Sequence, residues 1–266
     1  MSNWVVILLG IVEGVTEFLP VSSTGHLLLA EQGLGLSQQP TELFNVVIQS
    51  GAVLAVLMAF AGRLKEMARE WRTPAVREYT GKLGLAFLLT AVGGLILKRV
   101  FPGLPETATP VAIATLVGGV VILAVERVLG KREGAVDISW PVAAGIGLSQ
   151  LLAVCFPGTS RSGATIVVGL LSGLRRPVAT EFSFLLGVPT LLAAGGYKVL
   201  SALRHPTEAH EPWGQLVLGT LVAAVTAFVV VRWLLRYVQN HTFVLFGWYR
   251  IVLGGLILLV AYLRHP

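Results

Sequence analysis

The sequence predicts an all-α polytopic membrane protein, with six transmembrane helices plus two re-entrant helical hairpins related by an inverted-topology repeat. Three observations predict it. Hydrophobic residues make up 55% of the 266 and charged residues only 13%, about half the usual soluble share of roughly 25%. Six stretches are apolar over the length a helix needs to cross a bilayer, about 20 residues. Two further apolar regions are broken near their middles by Pro, Gly and Ser. A soluble domain could not cover so much apolar surface with so few charges, and the mean hydropathy of +0.77 agrees. The same figures exclude a disordered chain, a disulfide-rich secreted domain and a β-barrel of alternating residues. Cys155 is alone and cannot form an internal disulfide. A pI near 9.8 reads as loop lysines and arginines facing anionic membrane lipid, with no nucleic acid as partner. The N-terminus has neither a basic region nor a small-residue cleavage site, so no removable signal peptide is expected.

In chain order, the first interrupted region is 4–33, broken at Phe18-Leu19-Pro20-Val21-Ser22-Ser23-Thr24-Gly25. Pro lacks a backbone donor, and Gly and Ser weaken a helix further, so two half-helices are expected. Spans follow at roughly 43–61, 82–100 and 110–129. The second interrupted region, 140–174, breaks at Phe156-Pro157-Gly158-Thr159-Ser160-Arg161-Ser162-Gly163. Spans 179–200, 214–234 and 242–263 complete a single membrane domain over 1–266. Irregular backbone survives at membrane depth only inside protein or beside water, so both hairpin tips should be buried.

The two hairpins look like copies. Aligning Pro20 with Pro157 brings Gly10 onto Gly147, Ser22 onto Thr159, Ser23 onto Ser160 and Thr24 onto Arg161. A one-residue insertion then matches Gly25 to Gly163, Leu36 to Leu174 and Phe44 to Phe182, giving repeats of approximately 4–130 and 140–263. If the 62–82 loop is cytoplasmic, that side carries Arg63, Lys65, Arg69, Arg72, Arg77, Lys82, Arg127, Lys131, Arg132, Arg175, Arg176, Arg232 and Arg236. The other side carries Lys98, Arg99, Lys198, Arg204 and Arg264. This bias sets the orientation. The first hairpin then enters from outside and the second from the cytoplasm, and both termini lie outside. Broken helices in an inverted repeat point to a site where the copies meet.

Ionisable groups at membrane depth cost roughly 2.5–3.5 kcal/mol on insertion scales, so each is a functional candidate. They are Glu13, Glu17, His26, Arg161, Glu181 and Arg250. Glu13 and Glu17 are one helical turn apart and repel if both are ionised. Either the pair is protonated and hydrogen-bonded across the bundle, or a cation lies between them. A hard divalent cation, Mg²⁺ or Ca²⁺, suits their oxygen ligands. The second tip carries the opposite chemistry: Thr159, Ser160, Ser162 and Thr165 surround Arg161 at a half-helix N-terminus. Free N–H groups, hydroxyls and a guanidinium describe an anion site. His26, three residues after Ser23, is placed to serve as a base or acid. Arg250 could bind a second phosphate or pair with Glu181. His205, His210 and His241 sit in loops and receive no role. A metal-bound phosphate or diphosphate is the natural guest of such a pair of arms.

At these residues the chain resembles the undecaprenyl-diphosphatase family, the bacitracin-resistance type of membrane phosphatase. The resemblance rests on Glu13 to His26, Pro157 to Thr165, Phe44 to Val53, Glu181 to Pro189 and Tyr249-Arg250, and it runs over nearly the whole chain. The soluble-phosphatase P-loop and the three-motif lipid-phosphate phosphatase signature are both absent. The resemblance implies cleavage of undecaprenyl diphosphate to undecaprenyl phosphate and phosphate, which recycles the lipid carrier for peptidoglycan synthesis and confers bacitracin resistance. It implies that Glu13 and Glu17 bind the divalent cation and that Ser160, Arg161 and Thr165 hold the diphosphate, with Ser162, Thr24 and Arg250 joining the substrate-binding set. It implies a bacterial plasma membrane location with the cavity facing the periplasm, and it leaves open whether the protein forms a homodimer. Ser23 and His26 are the expected reacting pair, Ser23 attacking the terminal phosphorus with help from His26, or an activated water attacking directly. Glu17 and Arg161 complete the catalytic set, the metal and Arg161 neutralising the diphosphate oxygens and stabilising the leaving lipid phosphate. A lipid-phosphate transporter using the same inverted-repeat site is the alternative, since broken helices meeting at the midplane also suit transport.

Overall fold

The computed structural model describes residues 1–36, 41–100, 107–130, 134–204 and 213–264. Lys131, Arg132, His205 and His210 lie outside them. Twelve helices are described: α1 (Asn3–Thr16), α2 (Ser23–Gly33), α3 (Glu42–Ala59), α4 (Ala61–Arg69), α5 (Pro74–Val100), α6 (Ala108–Leu129), α7 (Trp140–Ser149), α8 (Leu151–Cys155), α9 (Arg161–Leu171), α10 (Arg176–Arg204), α11 (Trp213–Tyr237) and α12 (Val244–Arg264). Among the described residues there is one isolated β-bridge, Ala135 with Leu174, beside the last turn of α9. The chain is an all-α polytopic membrane protein.

Five of the described helices are long and apolar enough to cross a membrane: α5, α6, α10, α11 and α12. The sixth expected span is not straight. Helix α3 ends at Ala59, and the chain bends by 65° across Phe60 into α4. The sequence Ala61-Gly-Arg-Leu-Lys-Glu-Met-Ala-Arg69 is too charged to stay in hydrocarbon, and none of its residues is buried. Helix α5 also starts earlier than hydropathy suggests. Pro74 opens it, and the Thr73 hydroxyl accepts from the Val76 N–H. Its first turns carry Arg77, Glu78 and Lys82, so the helix continues where its apolar run does not.

Both interrupted regions form helix–break–helix units, α1–α2 and α7/α8–α9, whose breaks fall at residues 17–22 and 156–160. The helices pack through small residues. A Cβ on Gly14 of α1 would stand 2.6 Å from the Ala223 carbonyl of α11, and one on Gly147 of α7 would stand 2.5 Å from that of Ala86 on α5. Close backbone approach of this kind replaces the hydrophobic driving force that lipid removes. Helix α1 therefore packs on α11, and α7 on α5; α6 packs on α12, and α3 on α10 and α11. The main core surrounds the two tips, where the Phe18 and Phe184 rings meet edge-on at 5.0 Å. Outward faces carry exposed Leu, Val and Ile, as a lipid-facing surface requires. One charged pair ties three helices together. Arg176 of α10 donates from Nε and Nη2 to the two carboxylate oxygens of Glu126 on α6, and the Phe243 N–H ahead of α12 donates to the same carboxylate at 2.8 Å.

Candidate active site

The site is built from the ends of two half-helices. Helix α1 stops because Pro20 cannot donate and Phe18 and Leu19 turn into the core. The chain then re-enters helix at Ser22, whose φ is +75°, and its hydroxyl oxygen accepts from the Gly25 N–H. The second tip repeats this turn. Ser160 has a φ of +66°, and its hydroxyl oxygen accepts from the Gly163 N–H. A non-glycine residue in this region costs on the order of 1–3 kcal/mol and persists where the surroundings enforce it, often at functional sites. These caps correct the alignment read from sequence. Ser22, not Ser23, is equivalent to Ser160, so Ser23 occupies the place of Arg161 and Thr24 that of Ser162. The extra residue lies before the cap, where Gly158 and Thr159 stand opposite Val21. Gly158 has a φ of +94°, and a Cβ there would lie 2.4 Å from the Val111 carbonyl, so only glycine fits.

The first residues of α2 and α9 therefore face each other, and Glu17 joins them. The Ser23 hydroxyl donates to Oε2 of Glu17 at 2.8 Å, while Nη2 of Arg161 donates to Oε1 at 3.2 Å. Nε and Nη1 of Arg161 are buried and have no acceptor among the described residues. The guanidinium lies over the Phe18 ring at 5.3 Å. Gly187 of α10 makes room for it, since a Cβ there would come within 2.4 Å of Nη1. A polar cavity of about 180 Å³ opens between the tips, walled by Glu17, Ser23, Thr24, Thr159, Ser160 and Arg161. Gln49 of α3 lines it as well. That residue was not singled out from sequence, because a neutral glutamine within a span carries no charge signal.

Glu13 sits one turn behind Glu17. It is fully buried, and neither carboxylate oxygen accepts a hydrogen bond from any described donor. His26 and Ser23 share α2 but not a hydrogen bond. Nδ1 of His26 lies 2.8 Å from the Ser22 carbonyl, and Nε2 lies 2.6 Å from the Tyr249 hydroxyl, the two rings stacking at 5.5 Å. A carbonyl only accepts, so Nδ1 carries the proton, and the Nε2 lone pair accepts from Tyr249. Tyr249 is thus the partner that the sequence left without a role.

Three predicted substrate ligands point elsewhere. Ser162 is fully buried, and its hydroxyl donates to the Leu19 carbonyl at 3.0 Å, stitching one tip to the other. Thr165 is also buried; its hydroxyl shares a 2.5 Å hydrogen bond with Ser183 of α10 and lies 3.0 Å from the Arg161 and Ser162 carbonyls. Neither wall of the polar cavity includes them. Arg250 is fully buried and does not pair with Glu181, which lies 3.6 Å from Arg63. Its guanidinium donates to the carbonyls of Thr115 and Ala114 on α6, of Pro20 in the first tip and of Gly158 in the second. Donors directed at four carbonyls clamp the two tips and are turned away from a phosphate. Gly118 admits this guanidinium, since a Cβ would approach Nη2 to 2.1 Å. His241 stacks on Tyr237 at 4.5 Å, away from the site. Among the described residues, no group of three or more His, Cys, Asp or Glu could hold a metal ion.

The arrangement can bind an anion against Arg161 and the start of α9 while presenting a serine hydroxyl and acidic oxygens from the other tip. Known proteins share the whole chain's pattern. It is 47% identical over 255 residues to the undecaprenyl-diphosphatase of Rhizobium etli (strain CIAT 652), covering 96% of this chain and 95% of the relative. It is 48% identical over 256 residues to that of Rhizobium leguminosarum bv. trifolii (strain WSM2304), with 96% and 95% covered. It is 47% identical over 254 residues to that of Xanthomonas oryzae pv. oryzae (strain PXO99A), with 95% of each covered. Residues 6–256 match the family model described as bacitracin resistance protein BacA, and the chain belongs to that family.

Proposed function

We propose that this protein is an integral-membrane lipid diphosphate phosphatase that hydrolyses undecaprenyl diphosphate to undecaprenyl phosphate and phosphate. The observation that carries this reading is Arg161, which lines a cavity shared with Ser23 and Glu17 and whose Nε and Nη1 have no acceptor among the described residues. The name and near-complete coverage of the relatives support it. The diphosphate lies against Arg161 and the first turn of α9. Ser23, fixed by its hydrogen bond to Glu17, keeps its lone pairs available for in-line attack on the terminal phosphorus. As the Oγ–P bond forms, the P–O bond to the bridging oxygen breaks and the lipid monophosphate leaves; water then cleaves the phosphoserine, releasing phosphate and restoring Ser23. The Ser23 proton passes along its hydrogen bond to Oε2 of Glu17 and returns to Oγ as the phosphoserine is cleaved, while His26, with Nδ1 on the Ser22 carbonyl and Nε2 on Tyr249, holds the first turn of α2 in place.

A divalent cation fits the acidic arm, because Glu13 has two buried carboxylate oxygens without a donor. Glu13 and Glu17 would hold Mg²⁺ or Ca²⁺, hard cations that complete their coordination with water or phosphate oxygens. When bound, the cation supplies positive charge against the diphosphate oxygens. We read the two halves as inverted repeats in a bacterial plasma membrane, with the cavity open to the periplasmic side; the matching Ser22 and Ser160 caps support the repeat. The test is phosphate release from undecaprenyl diphosphate by the purified protein in detergent, where no transport is possible. Steady turnover that EDTA abolishes and Mg²⁺ or Ca²⁺ restores is expected. No release under any metal condition would overturn the phosphatase reading, and full activity after thorough chelation would overturn the cation.

A further inference from the structure

A second cavity is larger than the polar one. It has a volume of about 550 Å³ and lies between α6, α8 and α9, walled by Ile113, Val117, Leu152, Phe156, Ala164 and Val167 among others. Its lining is almost wholly apolar, and its size falls in the range of about 300–1,000 Å³ typical of small-ligand sites. Several of its walls, Ile113, Val117, Leu152 and Phe156 included, are exposed on the lipid-facing surface, so the cavity is a lateral groove. Thr159 belongs to the walls of both cavities. Helix α9 divides its faces accordingly. Arg161 at its start turns into the polar cavity, while Ala164, Val167 and Val168, three to seven residues on, turn into the apolar one.

We propose that this groove is the binding site for the head-proximal isoprene units of the substrate's prenyl chain, a proposal that rests on the lipid diphosphatase reading above. A diphosphate held by Arg161 has its terminal phosphorus toward Ser23 and Glu17 and its ester oxygen toward Thr159. From Thr159 the chain continues into an apolar space, so a lipid diphosphate fits both cavities at once where inorganic diphosphate fills only one. Close packing of the chain against fixed groove walls, in place of mobile lipid, makes the groove a source of affinity for the chain and not for the headgroup. The groove is finite. Only the first few isoprene units enter it, and the remainder runs in the bilayer. Binding therefore improves with chain length and then reaches a plateau, and the leaving lipid monophosphate departs sideways between α6 and α9.

Two measurements test this on the full-length protein in detergent. In the first, kcat/KM is compared for dimethylallyl and farnesyl diphosphate. Wild type should prefer farnesyl diphosphate, and Val167→Trp, which fills the groove, should reduce that preference about tenfold or more through KM. Ala164→Leu, a smaller intrusion, serves if the tryptophan variant does not fold. Val225→Trp on the outward face of α11 should keep the wild-type preference. In the second, a farnesyl monophosphate carrying a terminal benzophenone is photolysed on the unmodified protein. Labels should land on α6 between Ile113 and Val121, on α8 at Leu152 or on α9 between Ala164 and Val168. An unaltered chain-length preference in both groove variants, or labels confined to other helices, would overturn the groove. Labelling on α6 and α9 without hydrolysis of any diphosphate would uphold the groove as a prenyl site and overturn the phosphatase reading instead.

Discussion

Arg161 and Ser23 stand at equivalent positions, and one carboxylate holds both. That geometry makes their substitutions informative. Arg161→Lys keeps the charge but loses the planar fork, which is not a conservative change at a phosphate. Turnover should fall by about 10²–10³-fold, the scale seen when one donor to a developing charge is removed. Phosphate release under saturating substrate checks it; a wild-type rate in the lysine variant would make Arg161 an anchor for Glu17 and not a phosphate ligand. Ser23→Ala should leave only background activity, and His26→Ala should be similarly severe, the double variant being hardly worse than either, as for residues that act as a unit. Tyr249→Phe, which removes the hydroxyl from Nε2, should be milder than either. Substantial turnover by Ser23→Ala beside a dead His26→Ala would reject the serine nucleophile in favour of water. The sequence made Glu13, Glu17, Ser23, His26 and Arg161 visible because charge and reactive groups are conspicuous in an apolar chain. It did not show who bonds whom. Ser23 and His26 are one turn apart, yet a histidine whose Nδ1 is held by the Ser22 carbonyl presents Nε2 to another helix.

At the scale of elements, the two tips are held as one object. Ser162 donates from the second tip to the first, and Arg250 reaches both from α12. Arg250→Met would unclamp the two tips and leave the Pro20 carbonyl without this donor, at roughly 1–3 kcal/mol, while the Ala114 and Thr115 carbonyls stay within α6 and that of Gly158 keeps the Thr115 hydroxyl. The expected result is a thermal midpoint lowered by several degrees and a kcat lowered with little change in KM, because misplaced tips misalign Ser23 against Arg161. A raised KM with unchanged stability would return Arg250 to the role of phosphate ligand. Element breaks were legible from Pro, Gly and Ser, and the spans from hydropathy. The bend at Phe60 was not, since Phe60 is apolar and neither side contains a helix breaker until Gly62. The register of the second tip was also hidden: a one-residue difference can be placed anywhere between the prolines until the caps place it before Ser160. Burial of Ser162, Thr165 and Arg250 was equally out of reach, because a hydroxyl or guanidinium reads the same in sequence whether it faces a ligand or a carbonyl.

Across the whole molecule, the helix pairs that pack most intimately join the first half of the chain to the second. Helix α1 lies on α11, α3 on α10 and α11, α5 on α7, and α6 on α12. Composition announced the membrane, but it could not say that the first and second halves of the chain interlock; packing across them depends on small residues such as Gly14 and Gly147, whose partners are distant in sequence. This interlocking sets an order in time. A ribosome that has delivered residues 1–130 has placed α1 in the bilayer before α11 exists to cover Gly14, and Glu13 before Arg161 exists to face its neighbour. The acidic hairpin must therefore wait, uncovered, through the synthesis of nearly half the chain, and the nascent first half is the stage at which quality control in the membrane has most to recognise.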